Sequence, residues 1–349
     1  MGDLVMTAPA LRALKESFDT RITVLTSSMA TGIAKMIPEI DEVITYDLPW
    51  VKAAKTVPAE SLTEVVNEIR SRNFDAAVVF TVYSQNPLPT VMLAYLAGIP
   101  RRLSYCRENP YEMLTHWVPD TEPYSEIKHQ VRRDLDLVAR VGAVAKDERL
   151  SLNTDERLWL NLQQKLEAKG INMAKRWLIM HPGVSERKRE YPARDWITTG
   201  RALAAESQIL LTGGPSERSL TDTLEDGIGA GAFSLAGDLS LGEFVLLIKK
   251  APLVVSVNTG TVHLAAACST PVIVLYALTN PQHYPWKAAG RVFTFDVPQG
   301  LKSRNEVISY VNTRYFSEQR PLVKPAEIVS AAKEILAGQM EMIPELELL

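Results

Sequence analysis

Short apolar runs alternate along the second half of the chain with segments whose apolar positions recur at helical spacing. Leu253-Val254-Val255-Ser256-Val257 gives way at Asn258-Thr259-Gly260-Thr261 to a helical segment, Val262 to Cys268, and a second apolar run covers Pro271 to Tyr276. This pattern predicts strand, tight turn, helix and strand, a βαβ unit. Upstream of it the same half predicts strands at Trp177 to Met180, Gln208 to Leu211 and Phe233 to Leu235. Helices are predicted at Ala193 to Glu206, Ser216 to Leu224 and Leu241 to Lys249. After Pro298 the pattern weakens until a C-terminal helix, Pro325 to Leu336.

The first half alternates in the same way. Ala8 to Ser17 reads as helix, Arg21 to Thr26 and Glu42 to Tyr46 as strands, Leu62 to Ser71 as helix, Ala76 to Phe80 as strand and Thr90 to Ala97 as helix. A polar helix, Asp155 to Lys169, follows the junction. Strands separated by helices predict parallel sheets covered on both faces. The expected fold class is therefore α/β, with two Rossmann-like doubly wound domains, residues 1–152 and 153–349. Two such halves facing each other would hold a ligand in a cleft at the carboxyl ends of their strands.

Composition narrows the class. With 349 residues, 46% hydrophobic and 23% charged, the chain can bury two ordinary cores. A formal net charge of -3 gives no footprint for nucleic acid. The two cysteines, Cys106 and Cys268, are far apart and show no C-x-x-C spacing, which speaks against a disulfide or zinc site and fits a reducing cytoplasm. The apolar stretch Phe244 to Val257 is broken by Lys249-Lys250 and Pro252, so it does not read as a membrane span. A peripheral contact with the inner face of a membrane stays open.

Candidate chemistry gathers where predicted strands end. Gly260 lets backbone approach a ligand, and Thr259 and Thr261 bring hydroxyls beside the unpaired N–H groups of a helix start, a combination that favours phosphate. His181-Pro182-Gly183 and Thr212-Gly213-Gly214-Pro215 follow two other strands. Glu186-Arg187-Lys188-Arg189 suits a diphosphate, or equally a solvated loop, and Gly213-Gly214-Pro215 alone is equally a turn. His263 reads either as a ligand contact or as a packed histidine. Gly227-Ile228-Gly229-Ala230-Gly231 is rejected as a dinucleotide fingerprint, since no helix starts at its third glycine. The start, Gly2-Asp3 and onward, places an acid before a helix with Pro9 in its first turn. No H-E-x-x-H or G-x-x-x-x-G-K-[ST] occurs, so chemistry without metal or cofactor is the default.

Taken in order, G-D-L-V-M-T-A-P-A-L-R-A-L at the start, A-G-I-P-R-R at Ala97, H-P-G at His181, L-T-G-G-P-S-E at Leu211, L-A-G at Leu235 and N-T-G-T-V-H-L-A-A-A at Asn258 resemble glycosyltransferase family 9, the ADP-heptose:lipopolysaccharide heptosyltransferases and their relatives. The resemblance implies a GT-B architecture, with the acceptor held mainly by the first domain and the nucleotide-sugar by the second. It implies inverting, metal-independent transfer, with Asp3 as general base. Lys188 and Arg189 would serve the diphosphate or the sugar, Glu217 the donor nucleoside, and Asn258, Thr259, Gly260, Thr261 and His263 the donor loop. An ADP-sugar donor and a lipopolysaccharide-core or other glycan or glycolipid acceptor are the implied partners.

Several positions depart from the family's pattern. Asn258 stands where relatives commonly carry Asp, Arg189 and Tyr191 stand for the usual lysine and tryptophan, and Ala277-Leu278 replaces Gly-Pro. These leave the donor open between ADP-heptose and another nucleotide-sugar. Relatives also carry an apolar strand before the Gly-Asp motif, and the expectation here is that a first strand is missing upstream of Met1. Two other readings remain: a sugar-nucleotide-binding protein of the same fold without turnover, and a GT-B-like sugar-nucleotide epimerase. Arg101, Arg102, Arg107, Lys128, Arg132 and Arg133 read as ordinary solvated faces or as a surface for an acidic acceptor or membrane.

Overall fold

The computed structural model describes residues 1–51, 57–316 and 318–345. Chain contacts divide it into two compact units, in essence residues 3–148 and 149–345. The expected junction at 152/153 lies four residues further on. Thr154 and Glu156 both accept from Lys249 Nζ, at 2.7 and 2.9 Å, which ties the segment after residue 148 to the second unit.

The first unit runs α1 (Gly2–Phe18), β1 (Thr23–Thr26), α2 (Thr31–Ala34), β2 (Glu42–Thr45), α3 (Glu60–Ser71), β3 (Ala76–Val79), α4 (Leu88–Leu96), β4 (Arg101–Cys106), β5 (His116–Pro119) and α5 (Gln130–Ala139). Its strands form two parallel sheets, β1-β2 and β3-β4-β5. Leu25 of β1 and Ala77 of β3 pack on one cluster built from Val65, Val66 and Ile69 of α3 and Leu93 and Ala94 of α4. Helix α1 starts six residues before the expected Ala8, so Pro9 sits inside it rather than in its first turn. A proline there forfeits a backbone hydrogen bond. Nearly complete burial of Val5, Met6, Ala8, Ala10 and Leu11 offsets that loss.

The second unit runs α6 (Trp159–Ala168), β6 (Trp177–His181), α7 (Ala193–Ala204), β7 (Gln208–Leu211), α8 (Arg218–Ile228), β8 (Ala232–Ser234), α9 (Leu241–Lys250), β9 (Val254–Val257), α10 (Gly260–Ala267), β10 (Val272–Ala277), β11 (Gly290–Phe295), α11 (Glu306–Tyr315) and α12 (Pro325–Leu336). Six parallel strands lie in the order β8-β7-β6-β9-β10-β11. Every residue of β6, β7, β9 and β10 is buried, as a sheet covered on both faces requires. Leu178, Ile209, Val255 and Ile273 share one core with Trp196 of α7, Leu224 of α8 and Ile328 of α12. Strand order reverses between β6 and β9, and such a switch point opens a crevice at the carboxyl ends of those two strands.

Candidate active site

The loops that follow β6, β7 and β9 carry the residues expected to hold a donor. After β9, Thr259 is extended (φ -126, ψ 179) and precedes α10 without giving it a side-chain cap. The first N–H groups of α10 thus receive no hydroxyl cap, and the helix dipole gives this end a partial positive charge. Thr259 Oγ1 is buried and has no hydrogen-bond partner among the described residues. The same holds for Nε of Arg189, which lies in the short 3-10 turn Arg187–Arg189 after β6. Arg189 Nη1 donates to the Asn258 carbonyl at 3.2 Å, so the guanidinium is fastened beside the loop that opens α10. A cation, an orphaned hydroxyl and an uncapped helix start together make a site for an anionic group.

Lys188 lies one step away and pairs with Glu186 at 2.8 Å, with Glu186 3.8 Å from Arg189. Glu217 fills the space between two glycine loops. Its Oε2 accepts from the Gly214 N–H at 2.6 Å. A Cβ on Gly183 would fall 1.9 Å from Glu217 Oε1, and one on Gly213 2.9 Å from Oε2. The loops after β6 and β7 need glycine at these positions so that the carboxylate can lie between them.

Asn258 is the position where the expectation shifts. Its side-chain amide donates to the Ala277 carbonyl and to Thr279 Oγ1, both at 3.2 Å, and its Oδ1 accepts from the Ala277 N–H at 3.2 Å. The amide stitches the end of β9 to the end of β10, and its backbone carbonyl serves Arg189. Thr261 and His263 are both buried in α10, and the His263 ring meets His283 edge-on with centroids 6.2 Å apart. His181, at the end of β6, stacks on Phe244 and shares a 3.0 Å hydrogen bond with Thr212 Oγ1. Burial pushes its pKa down to about 4, so it is neutral at physiological pH.

Asp3 belongs to the other unit, exposed in the first turn of α1. Beneath it lies a polar network that sequence reasoning missed. Thr7 Oγ1 is 2.9 Å from Asp134 Oδ2, and Gln130 Nε2 donates to Asp134 Oδ1 at 2.7 Å. Beside them Arg133 is 1% exposed and pairs with Asp120 and Glu122. In the sequence, Arg132 and Arg133 read as part of an ordinary solvated face, and nothing local marks Arg133 or its neighbour Asp134 as buried. Of the expected basic patch Arg101 is exposed, and the other five residues are engaged within the unit. Arg102 donates to the carbonyls of Met113, Glu112 and Ile99, Arg107 to those of Tyr83 and Glu122, while Lys128 pairs with Asp136 and Arg132 with Glu148.

Parallel strands, a reversed strand order and an anion-suited helix start at the switch point place the second unit among nucleotide-binding α/β folds. The model of glycosyltransferase family 9 (heptosyltransferase) matches residues 62–307, and the chain belongs to that family: it is a glycosyltransferase of α/β, GT-B type. Lipopolysaccharide heptosyltransferase 3 of Escherichia coli strain K12 is 25% identical over 344 residues, spanning 96% of this chain and 95% of the relative. Among solved structures, E. coli ADP-heptose lps heptosyltransferase II aligns with TM-score 0.72 at 17% identity, covering 97% of this chain and 96% of that one. An E. coli heptosyltransferase solved with ADP aligns with TM-score 0.62 at 19% identity, covering 90% and 96%. Among the described residues no helix is long and apolar enough to cross a membrane.

Proposed function

We propose that the protein is an inverting heptosyltransferase of lipopolysaccharide-core assembly, moving the sugar of an ADP-heptose-type donor to a glycan or glycolipid acceptor in the cytoplasm, in peripheral contact with the membrane that carries the acceptor. The observation that carries the donor half is the set at the switch point of the second unit: the uncapped start of α10, Thr259 Oγ1 and the Arg189 guanidinium. Relatives solved with ADP and with an ADP-fluoroheptose support an adenine nucleotide.

In the proposed reaction an acceptor hydroxyl attacks the anomeric carbon on the face opposite the diphosphate. Asp3 takes the hydroxyl proton as the new C–O bond forms, and the bond from the anomeric carbon to the β-phosphate oxygen breaks. Its electron pair leaves on the nucleoside diphosphate. Charge grows on that leaving group, so fixed donors aimed at it lower the barrier more than donors aimed at the sugar. Arg189, Lys188 and the N–H groups of Gly260 and Thr261 fill that role. Glu217 takes the nucleoside, His263 backs the loop within α10, and Asn258 holds the loop in place.

Transfer proceeds without a metal in this reading. The rival reading is binding without turnover; an amide that stitches β9 to β10 gives Asn258 a structural role that is independent of turnover. The test is ADP release from ADP-heptose with a lipopolysaccharide-core acceptor, in EDTA. Wild-type turnover that disappears in Asp3→Ala supports the reading. Turnover unaffected by that change removes Asp3 as base, and a melting temperature raised by ADP with no transfer to any acceptor favours the binding protein.

A further inference from the structure

Thr7 Oγ1 has one hydrogen and two oxygens waiting for it. The Asp3 carbonyl lies 3.1 Å away and Asp134 Oδ2 2.9 Å away. Both contacts become good hydrogen bonds only if the second hydrogen comes from Asp134. The other oxygen of that carboxyl already accepts from Gln130 Nε2. The charges nearby give the same answer. Asp134 is 1% exposed; burial and the Asp3 charge from α1 oppose its ionised form, and Arg133 from its own helix favours it. Arg133 is committed elsewhere, with Nε on the Thr81 carbonyl and both terminal nitrogens on Asp120 and Glu122. Arg107 also lies 3.8 Å from Asp120, so the cations here already face the two carboxylates of the segment after β5, and an ionised Asp134 would add a buried charge that no cation among the described residues contacts by hydrogen bond.

We propose that Asp134 works as a neutral acid and is a positioning residue for Asp3, donating its proton to Thr7 Oγ1, whose own hydrogen goes to the Asp3 carbonyl. The relay pins the first turn of α1, which Met1 leaves without a side-chain cap, to α5. It also keeps a second negative charge away from the Asp3 carboxylate. The proposal rests on the reading of Asp3 as the base only for its effect on turnover. Its protonation claim stands independently. Burial pushes the Asp134 pKa up to about 7, consistent with the proton count.

The sign of the resulting pH dependence is fixed. A carboxyl whose folded pKa lies above its unfolded value contributes fully below the unfolded value and loses that contribution as pH rises through the folded one. Asp134→Asn places an NH2 where the acid's O–H stood and an oxygen toward Gln130, reproducing the protonated form at every pH. Thermal melts of wild type and D134N across about pH 4 to 9 test the claim without substrate. The expected result is that D134N gains on wild type from about pH 4 to about pH 7, by several degrees, and that the difference then stays level. A difference that does not change with pH overturns the proposal, because an ordinary ionised aspartate would give that.

Turnover supplies the second arm, read as ADP release from ADP-heptose. Asp134→Ala lowers kcat roughly tenfold with the donor KM little changed, and D134N restores most of the loss and removes the fall in kcat above about pH 7. Thr7→Val, which deletes the relay hydroxyl, gives the same split between kcat and KM. Should D134A or T7V retain wild-type kcat, the positioning role is refuted. Should Asp3→Asn retain it, the base assignment fails while the melting difference still decides the state of Asp134.

Discussion

Replacing Asn258 by Asp introduces the acid that the family resemblance implies at this position, and the structure predicts that this chain will not tolerate it well. The amide uses both ends: N–H groups to the Ala277 carbonyl and Thr279 Oγ1, oxygen to the Ala277 N–H, each at 3.2 Å. A carboxylate keeps the bond from Ala277 N–H, and Thr279 can turn its hydroxyl to donate. The Ala277 carbonyl has no such remedy and would face a negative oxygen in a position that is 8% exposed. A buried acceptor left unsatisfied costs about 1–3 kcal/mol, and burying the new charge brings the total to about 2–4 kcal/mol. For a unit of this size that is a fall of roughly 4–16 °C in Tm. Circular-dichroism melts at about pH 8 and pH 5 are the assay. The gap to wild type should narrow at the lower pH, because the introduced carboxyl has a raised folded pKa and, once protonated, can donate to Ala277. A variant that melts within a degree of wild type at about pH 8 would refute the clip. So would one that binds ADP markedly better, since that would show the missing charge to matter at the donor site.

Three further outcomes follow from the second unit. Arg189→Ala should weaken ADP binding by about 10- to 100-fold in calorimetry, the worth of a charge-assisted hydrogen bond, with the residual affinity less sensitive to salt; Arg189→Lys should recover only part. Gly183→Ala puts a Cβ 1.9 Å from Glu217 Oε1, which is the end of a flexible side chain. The carboxylate should swing off the Gly214 N–H, lowering ADP affinity while Tm changes by only a few degrees, and G183A combined with Glu217→Ala should cost less than the two losses added. His181 is buried neutral with its pKa pushed down to about 4, so its contribution is complete above its unfolded value near 6.5 and disappears as pH falls toward 4. That amounts to at most about 3 kcal/mol, and His181→Gln should flatten the acid limb of a Tm-against-pH curve.

What was legible in the sequence was legible for physical reasons that act locally. Fully buried parallel strands such as β9 and β10 read as unbroken apolar runs, and helix α12 announces itself by Pro325 and its apolar spacing. Strand, turn and helix around Asn258, Thr259 and Gly260 were readable because glycine, hydroxyls and an abrupt change of period fall together. Helix α5 was not, because Gln130, Arg133 and Asp134 take up buried positions where a pattern reading looks for apolar side chains. Strand β4 starts with two arginines, and β5 exposes three of its four residues, so neither shows an apolar run. Strand β11 lies at the edge of the sheet and is only half-buried over five of its six residues, so it lacks the buried apolar run of the inner strands.

By itself the sequence determined the α/β class, the glycine loops at the carboxyl ends of strands, and the residue types, suited to an anion, at the start of α10. Tertiary structure decided which partners those residues have within the protein. Asn258 became a stitch between strands, Arg189 a guanidinium hung from the Asn258 carbonyl, Glu217 a carboxylate folded between two glycines, and most of the arginines and lysines of the first unit internal partners for carbonyls and carboxylates. Asp134, which no local pattern singles out, is buried. The reason is one of range. Apolar periodicity and turn chemistry are set by neighbours a few residues away, whereas the charge state and partners of a polar side chain depend on burial and on atoms over a hundred residues distant, as Thr7 and Asp134 are.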